Sequence, residues 1–483
     1  MANENKGNVL AIGVCFALFF MIAFVTNFAG AMGPILKNQF GASNMASQLG
    51  SAANFFAYFF MGIPGGLILK RKGYKFTSML AAAVGFLGVG VQLAAAYCGK
   101  DSAFTVYVTG AFIAGFSMCL LNLVVNPLLN TLGGGGNKGN QLVQFGCSLN
   151  SIGATLSPMI LGWLVGGEIA KANVGQAVPA LVIAMAIFAV AFVVIALSKI
   201  PEPHLETAEE KANRTSVVAD IAATLKFRHF TLGALAIFMY IVIESGIPNM
   251  AMLYMTAEKI GDKANPAFVG AAVAGSVCGL YWFCMMVGRL LGGVLGGKVS
   301  SRAQIVVCSS IGIALMLAAI LTPASCVINV PSIPKSFWCM ILTAAVVVAL
   351  AFGLAKLFEK KLSLAGIMGL AAVVILLFHV SNPNGMVFGK GFTIPLSMLF
   401  MVLCGLCTSV MWGGIFNMAA EGLGKYVPMG AGIFMAMVVG GLMLPIQGYL
   451  ADKIGFLNSY WMTIALLAYV LFYALIGSRV AKK

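Results

Sequence analysis

The chain contains 483 residues, of which 60% are hydrophobic and 9% are charged, and its mean hydropathy is +0.98. A soluble domain of this length could not bury so much apolar surface in its own core, so the composition excludes a soluble protein and indicates one that crosses a membrane many times. The formal net charge is +15, yet no segment forms a basic domain of the kind that binds nucleic acid. An excess of Lys and Arg on one side of a membrane accounts for this charge more simply.

Apolar stretches of roughly 20 residues recur along the whole chain, which is the length a helix needs to cross a hydrocarbon layer about 30 Å thick. The first stretch is too long for a signal peptide and lacks a small-residue cleavage site, so we interpret it as a retained helix. The pattern predicts an all-α polytopic membrane protein with fourteen transmembrane helices and both termini on the same side. The predicted spans are residues 9–34, 46–69, 76–97, 103–132, 141–166, 177–198, 231–256, 266–297, 303–324, 337–355, 362–380, 393–420, 429–451 and 457–478.

The order of these spans predicts two bundles of six helices joined by one polar segment. Residues 1–199 form the first bundle, residues 200–230 a cytoplasmic linker of mixed charge, and residues 231–483 the second bundle. The motifs NPLLNTLG at 126–133 and NMAAEGLG at 417–424 each end the fourth helix of a bundle, when one inserted helix pair is set aside. Internal repeats of this kind are how many transporters build alternating access.

The inserted pair lies at about residues 337–380, between the ninth and tenth helices of the twelve-helix core. Its spans, 337–355 and 362–380, contain no acid, no amide and neither Lys nor Arg. We therefore expect the pair to pack outside the core without contacting a substrate. Its expected role is stability, or dimerisation of a protein that we otherwise expect to be a monomer.

Most of the 29 Lys and Arg residues fall on the side that carries the termini. Positively charged loops mark the cytoplasmic side of a membrane protein. We therefore predict a multi-pass protein of the inner (plasma) membrane with both termini in the cytoplasm. The eleven Cys residues are dispersed through apolar runs, which favours packing over a disulfide framework or a metal site.

The segment GGLILKRKGYK at residues 65–75 resembles the cytoplasmic loop motif of the major facilitator superfamily, in which an acid stands where Lys70 is found here. Further motifs resemble the fucose:proton symporter family, which includes glucose and galactose permeases. The resemblance covers residues 10–324 and 393–478, and it implies two six-helix bundles and sugar transport by alternating access. The motifs are NLVVNPLLNTLG, SLNSIG, YIVIESGIPN, YWFCMMVGRLLG and MAMVVGGLMLPIQGYLADKIG.

Two acids that are associated with proton coupling in the fucose permeases are missing from this chain. Shortly after Asn27 in the first helix, Gly30 stands where that family has an Asp, and Asn122 in the fourth helix stands where it has a Glu. The resemblance therefore does not by itself carry proton symport over to this chain.

Amides in the first bundle are the candidate sugar contacts. Asn122 and Asn126 lie four residues apart, and hence on one helix face. Amides suit the vicinal hydroxyls of a sugar because they donate and accept together, but Asn also joins helices in membranes. Both roles stay open for Asn122, and packing is favoured for Asn126. Asn150, which matches a sugar-contacting position of the resembled family, is the strongest candidate, whereas Gln144 and Asn27 lie nearer helix ends.

Aromatic residues supply a second set of candidates. Trp282 and Trp412 lie well inside their helices, whereas tryptophans that anchor a helix prefer the membrane interface. An indole face can stack on the apolar face of a pyranose, and the alternative for both residues is a buried aromatic in the bundle core. Tyr240 lies one helical turn before Glu244 and is expected to orient its carboxylate.

Four basic residues are assigned to a cytoplasmic gate: Lys70, Arg71 and Lys75 in the loop motif, and Arg289 in GRLLGG. The alternative for Arg289 is that its side chain snorkels to the lipid headgroups. On either view no basic residue is expected at mid-depth, so an anionic substrate such as a sialic acid would lack a counter-charge. This pattern favours a neutral sugar.

Glu244 is an acid inside an apolar run that is long enough to cross the membrane. A charge at this depth is costly and usually faces a polar cavity. It lies about 20 Å of helical rise from the start of the seventh helix, and Pro248 removes the backbone donor that would satisfy its carbonyl. We predict that Glu244, in a broken helix, couples transport to H⁺ or Na⁺. The alternative is a structural acid hydrogen-bonded to a neighbouring helix.

Together these features predict a secondary active importer of a neutral monosaccharide, namely a hexose, a deoxyhexose or an N-acetylhexosamine. A multidrug or other small-molecule antiporter of the same superfamily is the alternative, and a membrane sensor is a third possibility. No nucleotide-binding Gly-Lys-Ser/Thr loop is present, which disfavours an ATP-driven pump. We expect no enzymatic activity and no cofactor other than the coupling ion.

Overall fold

The computed structural model describes residues 2–133, 136–165, 174–202, 216–260, 263–265, 267–295, 299–323, 326–330, 392–423 and 426–479. The spans 337–355 and 362–380 lie outside these ranges, so the expectation that they pack outside the core remains a prediction. Most of the described chain is helical, as the sequence predicted.

The helices follow the order of the predicted spans. In the first half they are α1 (Ala2–Ala31), α2 (Gly33–Phe40), α3 (Asn44–Ser47), α4 (Leu49–Ala94), α5 (Lys100–Leu132), α6 (Gly136–Val165) and α7 (Val174–Leu197). After the linker helix α8 (Val217–Leu225), the second half contains α9 (Arg228–Thr256), α10 (Ala271–Leu295), α11 (Ser301–Leu321), α12 (Leu396–Thr408), α13 (Met411–Ala420), α14 (Val427–Met437), α15 (Leu444–Ile454) and α16 (Tyr460–Phe472). Eleven described segments are long and apolar enough to cross a membrane, and the 30-residue α6 completes two bundles of six.

Three predicted spans are not single regular helices. The first is divided at Met32 between α1 and α2, and the span 393–420 is divided between α12 and α13. The span 429–451 contains a 3₁₀ turn at Val438–Met443. Gly and Pro lie at the first and third of these breaks, where they weaken the regular backbone hydrogen bonding of a helix.

A tight reversal inside α4 joins the second and third spans. It occurs at Gly73, whose φ of 84° is left-handed, a conformation that glycine adopts without steric cost. The carboxylate of Glu202 accepts hydrogen bonds from the main-chain N–H groups of Tyr74 and Lys75, the second at 2.9 Å. A Cβ atom on Gly73 would collide with that carboxylate. Glu202 thus caps the start of the third span, where the helix dipole favours a negative charge.

Hydrogen bonds at one end of the molecule join the two bundles. We call the side of Glu202, Arg302 and Ser478 the termini side and the opposite side, where Asn44 and Asp452 lie, the distal side. Asp452 accepts hydrogen bonds from the main-chain N–H groups of Asn44 and Met45, each at 3.2 Å, and from Asn44 Nδ2 at 2.6 Å. These bonds join α3 of the first bundle to α15 of the second.

Further contacts strengthen this distal closure. A Cβ atom on Gly448 would lie 2.5 Å from the carbonyl oxygen of Asn44, so the absence of a side chain permits the close approach of α15. Asn249 Nδ2 of α9 donates to Gln48 Oε1 at 3.2 Å and to Ser51 Oγ at 3.5 Å. Between pairs of described residues, the hydrogen bonds that cross from one bundle to the other lie in the distal half or at mid-depth. The structure is therefore closed on the distal side.

Two short antiparallel strand pairs lie between helices of the second half. Strands β1 (Lys259–Ile260) and β2 (Lys263–Ala264) pair before α10. Strands β3 (Val327–Val330) and β4 (Phe392–Pro395) pair with Val330 opposite Phe392. The residues on either side of the segment 331–391 are thus adjacent, and the insertion of a helix pair between the ninth and tenth core helices stays a prediction.

Replacing Glu202 by Ala should destabilise the fold, because two N–H groups at the start of the third span lose their acceptor. We expect the free energy of unfolding to fall by about 1 kcal/mol, the usual cost of losing a helix cap. Unfolding of the protein in detergent, followed by circular dichroism, measures this change. Glu258→Ala removes an exposed carboxylate and is the matched control; equal losses in both variants would contradict the capping role.

Candidate functional site

The deepest charged cluster in the described chain consists of Glu244, Tyr240 and Arg289. Glu244 lies 16 residues after the start of α9, about 24 Å along the helix. Tyr240 OH donates to Glu244 Oε1 at 2.6 Å, and Arg289 Nη2 of α10 donates to the same oxygen at 3.1 Å. The expected contact between Tyr240 and Glu244 is therefore present. The second bundle thus contains an ion pair inside the membrane-spanning region.

The first bundle contacts this ion pair through α6. Arg289 Nη1 donates to the carbonyl oxygen of Cys147 at 3.0 Å, to Ser151 Oγ at 2.8 Å and, at 3.4 Å, to Asn150 Oδ1. One guanidinium group therefore binds a carboxylate of its own bundle with one nitrogen and three acceptors of the opposite bundle with another. Arg289 joins the bundles at mid-depth.

Both charged side chains are nearly enclosed, since 8% of the Arg289 side chain and 15% of the Glu244 side chain is exposed. Two charges taken out of water are tolerated only when they pair and satisfy their remaining hydrogen-bonding groups. Within the described residues, Tyr240 and Arg289 both donate to Glu244 Oε1, and Oε2 receives no hydrogen bond. The carboxylate therefore keeps one oxygen available to a small ligand or an ion.

Two expectations about this region are wrong. No basic residue was expected at mid-depth, but Arg289 reaches it, because α6 offers three acceptors within reach of its long side chain. In addition, α9 is not a broken helix, since it runs from Arg228 to Thr256 through Pro248. The neighbouring carbonyls of Ile247 and Pro248 instead accept side-chain hydrogen bonds, from Tyr460 OH at 2.9 Å and Cys278 Sγ at 3.4 Å.

The amide candidates of the first bundle lie on three different helices. Asn150 Nδ2 donates to the carbonyl oxygen of Phe19 in α1 at 3.0 Å, so this residue contacts both α1 and Arg289. Asn122 Nδ2 donates to Tyr58 OH at 3.0 Å, which links α5 to α4. Asn126 and Asn27 donate to carbonyl oxygens of their own helices, at 3.0 and 2.9 Å. All four side chains are partly exposed; of these, the structure brings Asn150 to the ion pair.

The two tryptophans differ in their surroundings. The ring centroids of Trp412 and Tyr240 are 6.1 Å apart with planes inclined by 50°, so Trp412 of α13 lies beside the ion pair and is partly exposed. Trp282 is 5% exposed and packs edge-on against Tyr281, with centroids 5.2 Å apart. Trp412 is therefore the better placed of the two to stack on a ligand near Glu244.

A comparison with known protein families indicates the same family as the fold and the motifs. The family model of the Major Facilitator Superfamily matches residues 14–358, which is most of the chain. The chain belongs to the major facilitator superfamily. It is accordingly a multi-pass membrane protein of a transporter family.

Relatives of this major facilitator are similar along nearly the whole chain. A glucose/galactose transporter of Brucella abortus is 24% identical over 480 residues, covering 99% of this chain and 96% of the relative. The L-fucose-proton symporter of Escherichia coli is 20% identical over 475 residues, covering 94% of this chain and 90% of the relative. The resemblance to the fucose:proton symporter family is thereby confirmed.

Solved structures of other major facilitators share this fold. The fucose:proton symporter of E. coli superposes with a TM-score of 0.61 at 18% identity, over 98% of this chain and 100% of that chain. The inward-open xylose transporter of E. coli gives a TM-score of 0.62 at 9% identity, over 98% and 96% of the two chains. At these identities the likeness establishes the shared fold.

The remaining site candidates of this major facilitator lie away from the ion pair or outside the described side chains. Arg71 is exposed, and Lys75 Nζ donates to the carbonyl oxygens of Ala196 and Ser198 at 2.8 and 3.0 Å. In this distal-closed structure Lys75 therefore binds the end of α7 in its own bundle. The side chains of Lys70 and Gln144 lie outside the described part, and the gate role of all four basic residues stays a prediction.

Several contacts of the site were missed by sequence reasoning. Ser151 and the Cys147 carbonyl could have been suspected, because residues 147 and 151 are four apart on α6 and flank Asn150. The role of Tyr58 as partner of Asn122 has no local signal, since it depends on how α4 packs against α5. The distal contact between Asn44 and Asp452 is likewise set by the approach of two distant segments.

Replacing Tyr240 by Phe should keep the ring beside Trp412 while removing the hydroxyl donor to Glu244. We expect the free energy of unfolding to fall by about 1.5–3 kcal/mol, the range for hydrogen bonds to charged groups. Thermal unfolding in detergent measures this loss. Tyr97→Phe, at a tyrosine that is 78% exposed, should have no effect, and a stability equal to wild type in Tyr240→Phe would show that the hydrogen bond contributes nothing.

Proposed function

We propose that this chain is a secondary active transporter that imports a neutral hexose, deoxyhexose or N-acetylhexosamine by alternating access, coupled to H⁺ or Na⁺. The observation that carries the proposal is the mid-depth cluster in which Glu244, Arg289, Asn150 and Trp412 adjoin the contact between the two bundles. Hydrogen-bonding groups with a nearby indole suit a sugar, which has both hydroxyls and an apolar face. The relatives named as glucose/galactose transporter and L-fucose-proton symporter support the same substrate class.

The charge of the cluster supports a neutral substrate. Arg289 lies at mid-depth, but Glu244 at 3.1 Å compensates its charge. An anionic substrate would have to displace that carboxylate and leave a second negative charge in a nearly enclosed site, which is costly. A neutral sugar requires only that hydrogen bonds be exchanged.

The proposal places both termini in the cytoplasm of a cell with the protein in the inner membrane, since most Lys and Arg lie on the termini side. In that orientation the distal closure corresponds to an inward-facing state. The coupling ion belongs at Glu244, because Gly30 and Asn122 stand where the resembled symporters carry their acids and a carboxylate enclosed in the membrane is costly to retain without a function.

A panel of ligands added to purified protein tests the substrate class. Binding to the folded state raises the unfolding free energy by about 2.7 kcal/mol at a ligand concentration 100 times Kd. We expect a neutral monosaccharide to raise the melting temperature and to compete for uptake of a labelled hexose into proteoliposomes. The matched controls are a sialic acid and cationic drugs; stabilisation by drugs alone would favour the antiporter alternative and contradict the proposal.

Replacing Glu244 by Gln should abolish uptake against a gradient, because an amide neither takes a proton nor attracts Na⁺ as a carboxylate does. Downhill sugar exchange in proteoliposomes should remain measurable, since exchange requires no net release of the ion. Glu258→Gln, at an exposed acid, is the control and should accumulate sugar normally. Full accumulation by Glu244→Gln under both a proton and a Na⁺ gradient would show that this carboxylate does not couple transport.

A further inference from the structure

Arg289 has a role that follows from its contacts and that rests on the proposed coupling at Glu244. We propose that Arg289 competes with the coupling cation for Glu244, so that an ion-loaded but sugar-free carrier cannot close its distal side. Arg289 acts through Glu244 and through α6 and is thus a positioning residue of the transport cycle.

The first step of the argument is that one guanidinium holds both bundles. Its Nη2 atom binds Glu244 in the second bundle at 3.1 Å, and its Nη1 atom binds the Cys147 carbonyl and Ser151 Oγ in the first bundle at 3.0 and 2.8 Å. In the distal-closed state the positive charge is therefore enclosed between α10 and α6. Its compensating charge comes from Glu244.

The second step concerns what a cation does at Glu244. Tyr240 and Arg289 contact this carboxylate, and Tyr281, Tyr58 and Cys147 are the further titratable groups of the packed elements that are close enough to interact with its charge. Among them Arg289 provides the positive charge. A proton or Na⁺ on Glu244 cancels the carboxylate charge and leaves Arg289 enclosed without a counter-charge, which is strongly unfavourable. Binding of the ion to Glu244 therefore disfavours the enclosed position of Arg289 between the bundles, and that position of Arg289 disfavours binding of the ion.

The third step connects this opposition to the transport cycle. An ion-loaded carrier without sugar stays distal-open, which prevents the ion from leaking through alone. When sugar is present, its hydroxyl oxygens accept hydrogen bonds from Arg289 and lower the cost of enclosing its charge, so that the loaded carrier can close. After closure the return of Arg289 to Glu244 expels the ion, which leaves by the termini side because the distal side is closed.

Amide hydrogen exchange at two positions reports distal closure directly. The main-chain N–H groups of Asn44 and Met45 are bound to Asp452 in the closed state, so they exchange slowly only while the distal side is closed. The variant Asp452→Asn weakens this contact irrespective of the ion and calibrates the open state. The measurement uses the full chain in detergent with its natural cysteines.

In wild type without sugar, exchange at these two amides should accelerate when the coupling cation is supplied. The cation is supplied either as saturating NaCl in place of choline chloride or by a shift from pH 8 to pH 6, with the rates corrected for intrinsic exchange. We expect about a tenfold change in the ratio of closed to open protein, which corresponds to roughly 1.4 kcal/mol and is typical of coupled residues. A response to neither cation would overturn the proposal.

Four variants separate a coupling role from a merely structural one. Glu244→Gln should exchange rapidly with or without the ion, because Arg289 has lost its counter-charge. Adding Arg289→Gln to that variant should restore slow exchange, since no charge remains. Arg289→Gln alone should reverse the sign of the ion effect, as the ion then neutralises an unpaired carboxylate and favours closure. Arg289→Lys keeps the charge and should keep the wild-type sign.

Arg302→Gln, at an arginine that binds Ser478 Oγ at 3.3 Å on the termini side, is the matched control and should leave the ion response intact. Additive effects of Glu244→Gln and Arg289→Gln, or an unchanged sign in Arg289→Gln, would overturn the inference. These measurements need no sugar, so a negative result would count against the role of Arg289 without bearing on the proposed substrate. Absence of any sugar effect on exchange or uptake would instead count against the proposed function.

Discussion

The burial of an ion pair in an apolar bundle is the constraint on which the centre of this protein depends. A carboxylate or a guanidinium alone at this depth would cost several kcal/mol. Glu244 is tolerated because Tyr240 and Arg289 both donate to its Oε1 atom. Arg289 is tolerated because it also finds acceptors on α6. The cluster is therefore satisfied only when three helices, α6 of the first bundle and α9 and α10 of the second, meet.

This requirement links the mid-depth site to the distal closure. The bonds from Asn44 and Met45 to Asp452, and from Asn249 to Gln48, hold the same two bundles together that Arg289 joins deeper in the membrane. Gly448 lets α15 approach Asn44 closely. Because the mid-depth contacts of Arg289 and the distal contacts of Asp452 cross the same interface between the bundles, a change of charge at mid-depth alters the stability of the distal contacts. Packed interfaces of this kind have discrete arrangements, which is how small local events produce large transitions.

The superfamily shares the architecture, on which the individual side chains of this chain place the charges. Relatives at 20–24% identity extend over nearly its full length, and solved structures with lower identity retain the fold. Gly30 and Asn122 leave the first bundle without the two acids of the resembled symporters. The enclosed acid of this chain, Glu244, lies in the second bundle and is paired with Arg289.

The sequence by itself determined the class of protein, the order of the helices and the position of Glu244 as an acid inside an apolar helix. These features follow from local composition: runs of apolar residues must be helical in lipid, and an isolated acid in such a run is detectable without knowing its neighbours. Only the tertiary structure decided that Arg289 reaches mid-depth, that Glu202 caps the third span and that the distal side is closed. Each of these depends on contacts between residues more than 40 positions apart, and the direction of a long side chain is set by the acceptors that packing brings within its reach.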